Sequence, residues 1–290
     1  MYTGDADGSR HTNGHSSPAY YVMRDEDATF EIAMREIAAR YENFIDMGVG
    51  GDEAVLRRGL VATRTVGARN YLAFDCAPAL ARRAAELADE RGLYGEAFVC
   101  DIFDRLPVAR PNTLVGILGL TIGNVETYRK PLAFKERLVG IYRNYAEAVT
   151  NPNRDAEPKG GLIVGWDANM NPREIEACYG NTEMAELIRS CPSRVADTDK
   201  MDYHLKIEKT SLDARQEVCF VALGLRARVA HTVDVAGEAI AIQADQFFPV
   251  LNTDRFSIGF NADALERAGW NPAAKWSASG RVHYQHARLG

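Results

Sequence analysis

Glycines and acidic residues follow three successive apolar segments in the first part of this 290-residue chain. Gly48 and Gly50 lie just after NFIDM, whereas Asp75 ends YLAFD and Asp101 ends EAFVCD. Glycine adopts positive φ values and lets a ligand approach the backbone, and a carboxylate at a strand end can accept hydrogen bonds from a ribose. This order predicts a nucleoside site in which Asp75 binds the ribose and Asp101 meets the adenine amino group.

The glycine turn lacks the pattern of a dinucleotide site. The dinucleotide fingerprint GxGxxG would place a third glycine at position 53, where this chain has Glu53. An acidic side chain beside a helix N-terminus would repel a pyrophosphate. We therefore expect S-adenosylmethionine (SAM), a nucleoside without phosphates, as the cofactor. A nicotinamide-dependent oxidoreductase and a non-catalytic protein on the same fold are the alternatives.

Strands and helices alternate along the first half of the chain. The apolar segments predict strands at 43–47, 71–75, 96–101, 113–120 and 162–168. Between and before them, helical patterns cover 25–41, the stretch after the glycine turn, 78–92 and 128–148. The alternation predicts an α/β fold with a doubly wound, mostly parallel Rossmann-like sheet, whose ligand lies beyond the carboxyl ends of the strands.

After Asn171 the pattern changes to one helix, at 172–189, followed by three extended stretches, several of which alternate with period two. These predict an inserted α+β lobe that binds the substrate. A helix over 253–270 and a closing strand or hairpin over 275–289 follow, and the closing strand could form an antiparallel edge of the first sheet. We assign 19–169 and 248–290 to the cofactor domain and 170–247 to the lobe, with a join near Tyr20–Arg24. Residues 1–18 are expected to be a disordered polar head.

The composition excludes several classes of protein. The 34 Lys and Arg against 40 Asp and Glu give a net charge of −6, which disfavours capture of nucleic acid. The 5 cysteines form no CxxC and the 6 histidines are scattered, so we expect reduced thiols and no metal site. No apolar run approaches the ~20 residues that span a bilayer, and no signal peptide is recognisable. We expect a cytoplasmic protein with no membrane or nucleic-acid partner, and the oligomeric state stays open.

One segment, LGLTIGN (Leu118–Asn124), carries a more specific signal. Together with FIDMGVG before it and QADQFF after it, this segment resembles the histidine-specific SAM-dependent methyltransferases. YYVMRDE (Tyr20–Glu26) is similar to the YYPTRTE of that family, whose tyrosines close the substrate pocket. The family includes the ergothioneine-pathway enzyme that trimethylates the α-amine of histidine. The resemblance, from about Tyr20 to the C-terminus, implies N-methylation of a free amino acid or a small molecule derived from one, in natural product biosynthesis.

The resemblance also implies roles for individual residues. Those on the positions that contact SAM, or its product S-adenosylhomocysteine (SAH), are Gly48, Gly50, Asp75, Asp101, Ile102, Gly119 and Thr121. Asn124 aligns with the asparagine that binds the amino and carboxylate groups of the substrate in the family. Tyr179 aligns with the tyrosine that contacts the reacting amine. These two are the candidate catalytic residues. The other residues assigned to the substrate are Tyr20, Tyr21, Gln243 and Asp245.

The side-chain pocket departs from the family. There, the Glu and Ser of an E-I-S-x-K-F element hold the histidine imidazole, whereas this chain has Gln243, Ala244 and Asp245 ahead of two phenylalanines. A buried carboxylate needs a partner, so Asp245 favours a cationic or hydrogen-bond-donating side chain, and we expect an acceptor other than histidine. Without the resemblance, Asn124 could shape a turn, Tyr179 could be a core aromatic, and Gln243 with Asp245 could form a solvated strand face.

Methyl transfer from a sulfonium places few demands on the protein. The methyl group is already activated, so the enzyme must hold a neutral amine in line with the S–CH3 bond at about 3 Å. We expect Asn124 to fix the substrate and Tyr179 to accept a hydrogen bond from its amine, which orients the lone pair. Burial beside a positive sulfonium lowers the pKa of the amine, so no strong base is required.

Overall fold

The computed structural model describes residues 20–104, 106–108, 110–125, 130–150, 160–190, 192, 198–235 and 237–290. The polar head predicted for residues 1–18 lies outside this range, as does the predicted helix start at Tyr128. The helices are α1 (Tyr21–Glu36), α2 (Asp52–Ala54), α3 (Leu60–Thr65), α4 (Pro78–Asp89), α5 (Pro131–Val149), α6 (Pro172–Tyr179), α7 (Thr182–Ser190) and α8 (Ile258–Arg267). A π-helical segment, Val55–Gly59, joins α2 to α3, and a 3-10 helix covers Thr121–Asn124.

The first sheet carries the predicted doubly wound architecture. Its strands are β1 (Asn43–Met47), β2 (Asn70–Asp75), β3 (Tyr94–Val99), β4 (Thr113–Ile117), β5 (Gly160–Asp167), β12 (Trp270–Trp276) and β13 (Val282–Leu289). Among the described residues they lie in the order β12-β13-β5-β4-β1-β2-β3, and β1 to β5 are parallel. The α/β, mostly parallel, Rossmann-like fold is therefore confirmed.

Burial explains the sequence pattern of the strands. Every residue of β1, β4 and β5 is buried, because α5 and α8 cover one face of the sheet and α1, α3 and α4 the other. This burial on both faces accounts for their continuous apolar runs. The edge strand β3 exposes 59% of Tyr94 and 53% of Val99, which fits its position at the end of the sheet.

The closing strand differs from its prediction. β13 is antiparallel, as expected, but it lies between β5 and β12 and is not the edge of the sheet. The edge is β12, whose first residue, Trp270, was predicted to end a helix. That helix, α8, begins only at Ile258, because Arg255 and Phe256 pair with a strand of the lobe and Ser257 caps the helix with its side chain.

The second sheet belongs to the lobe. Its strands are β6 (Met201–Asp213), β7 (Gln216–Ala227), β10 (Phe247–Asn252) and β11 (Arg255–Phe256), and a separate hairpin contains β8 (His231–Val235) and β9 (Glu238–Ile242). β7 pairs with β6 on one side and with β10 and β11 on the other, all antiparallel. This sheet runs past residue 247, at which the sequence analysis placed the end of the lobe.

Two further helices differ from the predicted bounds for local reasons. The helix predicted over 172–189 is divided into α6 and α7, because Gly180 ends the first with a bond to Glu176 and the Asn181 side chain accepts from the Met184 N–H of the second at 2.8 Å. α1 begins at Tyr21, four residues before the prediction, because Tyr21 and Val22 pack in the core of the lobe. The start of α1 therefore contacts the lobe, while its later residues pack on the first sheet.

Candidate functional site

The turn after β1 brings three of the predicted residues together. Gly48 and Gly50 have φ values of +74° and +69°, which L side chains rarely adopt. A Cβ on Gly48 would lie 3.1 Å from Cγ2 of Thr121 and 3.2 Å from Cδ1 of Ile102. The segments that follow β1, β3 and β4 therefore converge here, and only a glycine leaves the backbone of the turn open.

Asp75, at the end of β2, is held beside that turn. Its Oδ1 accepts a hydrogen bond from the Ala77 N–H at 2.8 Å, and the carboxylate also accepts from the backbone of Gly50. Burial raises the pKa of Asp75, and these backbone donors oppose the rise. The structure thus places a buried carboxylate next to the open backbone, as a ribose site requires.

Asp101 and Ile102 follow β3. Asp101 is exposed, and its Oδ1 accepts from the Phe103 N–H at 2.9 Å. Ile102 is buried, and its carbonyl oxygen accepts from the Tyr145 hydroxyl of α5 at 2.7 Å. A helix of the core therefore fixes the loop, while the Asp101 carboxylate remains open to solvent.

The LGLTIGN segment forms the next wall of the site. Gly119 and Leu120 have positive φ values of 75° and 58°, and the Thr121 hydroxyl donates to the Leu118 carbonyl at 3.1 Å. This tight turn leads into the 3-10 helix that ends at the half-buried Asn124. Asn124 therefore lies beyond the carboxyl end of β4, at the same end of the parallel strands as the glycine turn.

The lobe meets this wall through the segment between β10 and β11. The Asp254 N–H donates to the Gly123 carbonyl at 2.6 Å. A Cβ on Gly123 would lie 2.6 Å from the backbone carbonyl oxygen of Asp254. The neighbouring Thr253 places its hydroxyl 3.5 Å from the hydroxyl of Tyr179. This chain of contacts brings the two candidate catalytic residues, Asn124 and Tyr179, to the same junction.

Tyr179, the last residue of α6, is buried in an aromatic and cationic environment. Its ring packs edge-on against Tyr20 with centroids 5.6 Å apart, and its hydroxyl oxygen accepts from Nη2 of Arg255 at 2.9 Å. Burial raises the pKa of Tyr179, while the Arg255 guanidinium opposes that rise. The phenol is therefore neutral at physiological pH.

Arg255 and Asp167 are polar residues of this junction to which the sequence analysis gave no role. Nε of Arg255 donates to Oδ2 of Asp167 at 2.9 Å, and the Tyr21 hydroxyl donates to the same oxygen at 2.7 Å. Asp167 ends β5 just as Asp75 ends β2, so its position at a strand end was a usable signal. Arg255 gave no such signal, because the sequence placed it inside a helix.

Glu26 is a third residue to which the sequence analysis gave no role. It is fully buried on α1, accepting from Arg58 at 2.8 Å, from the Tyr284 hydroxyl at 2.9 Å and from the backbone of Gly119. Burial raises the pKa of Glu26, and Arg58 opposes the rise. These contacts tie α1 to the loop that precedes the 3-10 helix.

Gln243 and Asp245 lie apart from the junction. Both are exposed, in the turn between β9 and β10, where Asp245 has a φ of 63° and its N–H donates to Ala227. β10 separates this turn from Thr253, and at ~3.3 Å per residue its six residues span roughly 17 Å. The structure therefore does not bring the predicted side-chain pocket to Tyr179, and Thr253 lies there instead.

Neither a metal centre nor a membrane-spanning helix is found among the described residues. No group of three or more His, Cys, Asp and Glu side chains in that part of the chain could hold a metal ion. No helix there is long and apolar enough to cross a bilayer.

The chain was compared with curated proteins and with solved structures. No curated protein matches the chain significantly. Among solved structures, the CcbJ methyltransferase from Streptomyces caelestis is 13% identical with a TM-score of 0.48, and the match covers 96% of this chain and 98% of that one. SAM-bound CalS10, an amino pentose methyltransferase from Micromonospora echinaspora, is 14% identical with a TM-score of 0.41, covering 97% and 95%.

The family model described as histidine-specific methyltransferase, SAM-dependent, matches residues 2–288, almost the whole chain. This match decides against the nicotinamide-dependent alternative and identifies the cofactor as SAM. The protein is a SAM-dependent methyltransferase and belongs to the histidine-specific methyltransferase family.

Proposed function

We propose that the enzyme methylates the amine of a free amino acid or of a small molecule derived from one. The observation that carries the proposal is the junction of the two units. There, Asn124 of the cofactor domain and Tyr179 of the lobe are linked through the Gly123–Asp254 bond and Thr253. An amide offers both donors and acceptors to an amino acid's ammonium and carboxylate groups, and a phenol oxygen can accept from an amine.

The residues at the strand ends fit SAM. The glycine turn has no side chain to block the backbone, and Asp75 is buried beside it. We assign the ribose to Asp75, the adenine to Asp101 and Ile102, and the remaining cofactor contacts to Gly48, Gly50, Gly119 and Thr121. Since no phosphate-binding glycine stands at Glu53, this cradle suits a nucleoside without phosphates.

The residues of the enzyme then contribute by binding and orienting the substrate. When bound, SAM supplies a methyl group already activated by its sulfonium charge. Asn124 holds the substrate's amino and carboxylate groups, and Tyr179 accepts a hydrogen bond from the amine, which orients the nitrogen lone pair. The aromatic rings of Tyr20 and Tyr21 exclude water from the junction. In this buried setting the charged amine is disfavoured, so its pKa falls and the neutral form becomes available.

The choice of amino acid stays open between histidine and others. The sequence analysis disfavoured histidine because it placed Asp245 in the side-chain pocket. Asp245 is instead exposed and distant from Tyr179 along β10, so this argument loses its support. Histidine therefore belongs among the acceptors to be tested. A role in natural product biosynthesis and a cytoplasmic location stay predictions from the sequence.

A mass-spectrometric screen tests the proposal. Purified enzyme is incubated with SAM and each proteinogenic amino acid, including histidine, with amine-bearing derivatives of each, and with matched compounds that lack the amine. We expect products carrying one to three added methyl groups only where an amine is present, with one SAH formed for each methyl group transferred. Methylation of compounds without an amine, or no methylation of any amino acid or derivative, would refute the proposed acceptor class.

A further inference from the structure

Arg255 is a fully buried cation at the junction, and its burial requires an explanation. Its side chain is 1% exposed, with Nε 2.9 Å from Asp167 and Nη1 donating to the Thr253 carbonyl at 2.7 Å. Burying an ion pair costs several kcal/mol per ion, which the pairing only partly offsets. Replacement of a buried ion pair by apolar residues of similar volume is often neutral or stabilising, so the two charges suggest a role beyond stability.

The geometry of the guanidinium gives a more specific answer. The group is planar and carries donors only, so two bonds formed by different nitrogens fix its plane and thereby the direction of the remaining donors. With Nε on Asp167 and Nη1 on the Thr253 carbonyl, Nη2 donates to the Tyr179 hydroxyl oxygen at 2.9 Å. The Tyr179 oxygen must accept this bond, so its own proton points away from Arg255.

The charge of Arg255 adds a second effect. Arg255 donates to both the Asp167 carboxylate and the Tyr179 phenol, through Nε and Nη2, so the phenol oxygen is in direct contact with the cation. The guanidinium carbon also lies 5.0 Å from the centroid of the Tyr179 ring. A cation in this position disfavours a second positive charge nearby, including that of a protonated amine on the phenol.

We infer that Arg255, oriented by Asp167, is a positioning residue for methyl transfer: its bond to Tyr179 sets the rotation of the phenol hydroxyl that receives the acceptor amine. The inference rests on the proposed function and assigns Arg255 no contact with the methyl group. Arg255 therefore acts through Tyr179, and removing Tyr179's hydroxyl should abolish its effect.

A double-mutant cycle tests this directly. Arg255→Lys keeps the buried cation and its pairing with Asp167 but lacks the rigid donor toward Tyr179. Rates are measured with methyl-tritiated SAM and an equimolar mixture of the proteinogenic amino acids and their amine-bearing derivatives. We expect Arg255→Lys and Tyr179→Phe each to lower kcat by about 10- to 100-fold, the size that a misplaced reacting group costs, with SAH affinity little changed. The double variant should be no slower than Tyr179→Phe alone.

Controls separate positioning from folding. Arg58→Lys alters another buried ion pair, that with Glu26, and any loss it causes should multiply with that of Tyr179→Phe. If Arg255→Lys does not fold, the pair Arg255→Gln with Asp167→Asn removes both charges together and leaves no unpaired ion. In either variant, the NMR resonance of Tyr179 labelled at Cζ should shift, because the phenol oxygen loses its charged donor.

The outcomes distinguish this inference from the function on which it rests. If the wild-type enzyme is active and the losses of Arg255→Lys and Tyr179→Phe multiply, or the Cζ resonance is unmoved, the positioning role fails and the proposed function stands. If the wild-type enzyme transfers no label to the mixture, both fail together.

Discussion

At the scale of single residues, the polar groups of the site are held by backbone and by charge. Asp75 is fixed by N–H groups of Ala77 and Gly50, and Tyr179 by the guanidinium of Arg255. Strand-end acids such as Asp75 and Asp101 could be predicted because parallel strands end at a common edge. Arg255 could not, because its partners Asp167 and Tyr179 are 88 and 76 residues away and no local pattern links them.

Asp75→Ala should weaken cofactor binding. A hydrogen bond to a charged group contributes about 1.5–3 kcal/mol, so the Kd for SAH should rise by about 10- to 100-fold. Isothermal titration measures this. Asp89→Ala is the matched control, because it also removes a carboxylate that accepts a backbone N–H, that of Gly95, on the exposed end of α4. An unchanged Kd for Asp75→Ala would remove its ribose role.

Asp46→Asn should change how stability depends on pH. Burial raises the pKa of Asp46 from its ordinary 3.8 to about 6, although the Tyr71 hydroxyl and Arg58 oppose the rise. Between these values the folded protein holds a proton that the unfolded chain releases, so this group's contribution to the free energy of unfolding falls as pH rises. The stability of Asp46→Asn relative to wild type should increase by about 3 kcal/mol across that window and then level off.

His286→Gln supplies a comparison of opposite sign. Burial lowers the pKa of His286 from 6.5 to about 4, so in the same window the unfolded chain binds the extra proton and the wild-type contribution rises with pH. The stability of His286→Gln relative to wild type should therefore decrease as pH rises. Urea denaturation at several pH values measures both variants, and two slopes of the same sign would contradict the assignment.

At the scale of elements, the parallel strands and the helices between them follow from local patterns. Fully buried strands give continuous apolar runs, and Pro78 marks the start of α4. The lobe was harder to predict, because short strands depend on their partners more than on their own residues. β11 has two residues and exists only because Arg255 and Phe256 pair with β7, so the sequence alone indicated a helix.

Gly48→Ala should distort the cofactor site, because Gly48 lies in the turn after β1 that forms part of this site. A side chain at positive φ costs about 1–2 kcal/mol, and the new Cβ would press on Thr121 and Ile102. Gly92→Ala is the matched control, because Gly92 has a φ of +76° with nothing within 4 Å of a Cβ. We expect both substitutions to lower stability, Gly48→Ala more because of these contacts, but a rise in the SAH Kd above about 10-fold only for Gly48→Ala. Equal effects on SAH binding would contradict the assignment of Gly48 to the cofactor site.

At the scale of the whole molecule, buried polar contacts join elements that are remote in sequence. Tyr21 on α1 donates to Asp167 on β5, 146 residues away, and Glu26 binds the Tyr284 hydroxyl of β13. The sequence indicated two units and a join near Tyr20–Arg24, but not these contacts, because pairing across the fold leaves no periodic signal. Such contacts make α1, the lobe and the first sheet depend on one another.

Thermal unfolding should therefore occur in one transition, and binding of SAH should raise the Tm of that whole transition. At a SAH concentration 100 times its Kd, linkage adds about 2.7 kcal/mol to the free energy of unfolding. For a chain of 290 residues the Tm should rise by roughly 4 °C. Calorimetry measures this, with NADH at the same concentration as a control that should leave the Tm unchanged. Two transitions, of which SAH moves only one, would contradict this coupling.

A crystal structure of the enzyme with SAH tests the central claim most directly. We predict adenosine across the carboxyl ends of β1, β2 and β3, with the ribose hydroxyls on Asp75 and the sulfur facing the junction of Asn124 and Tyr179. SAH bound elsewhere, or side chains filling the space between Asp75 and Tyr179 in the complex, would contradict the account.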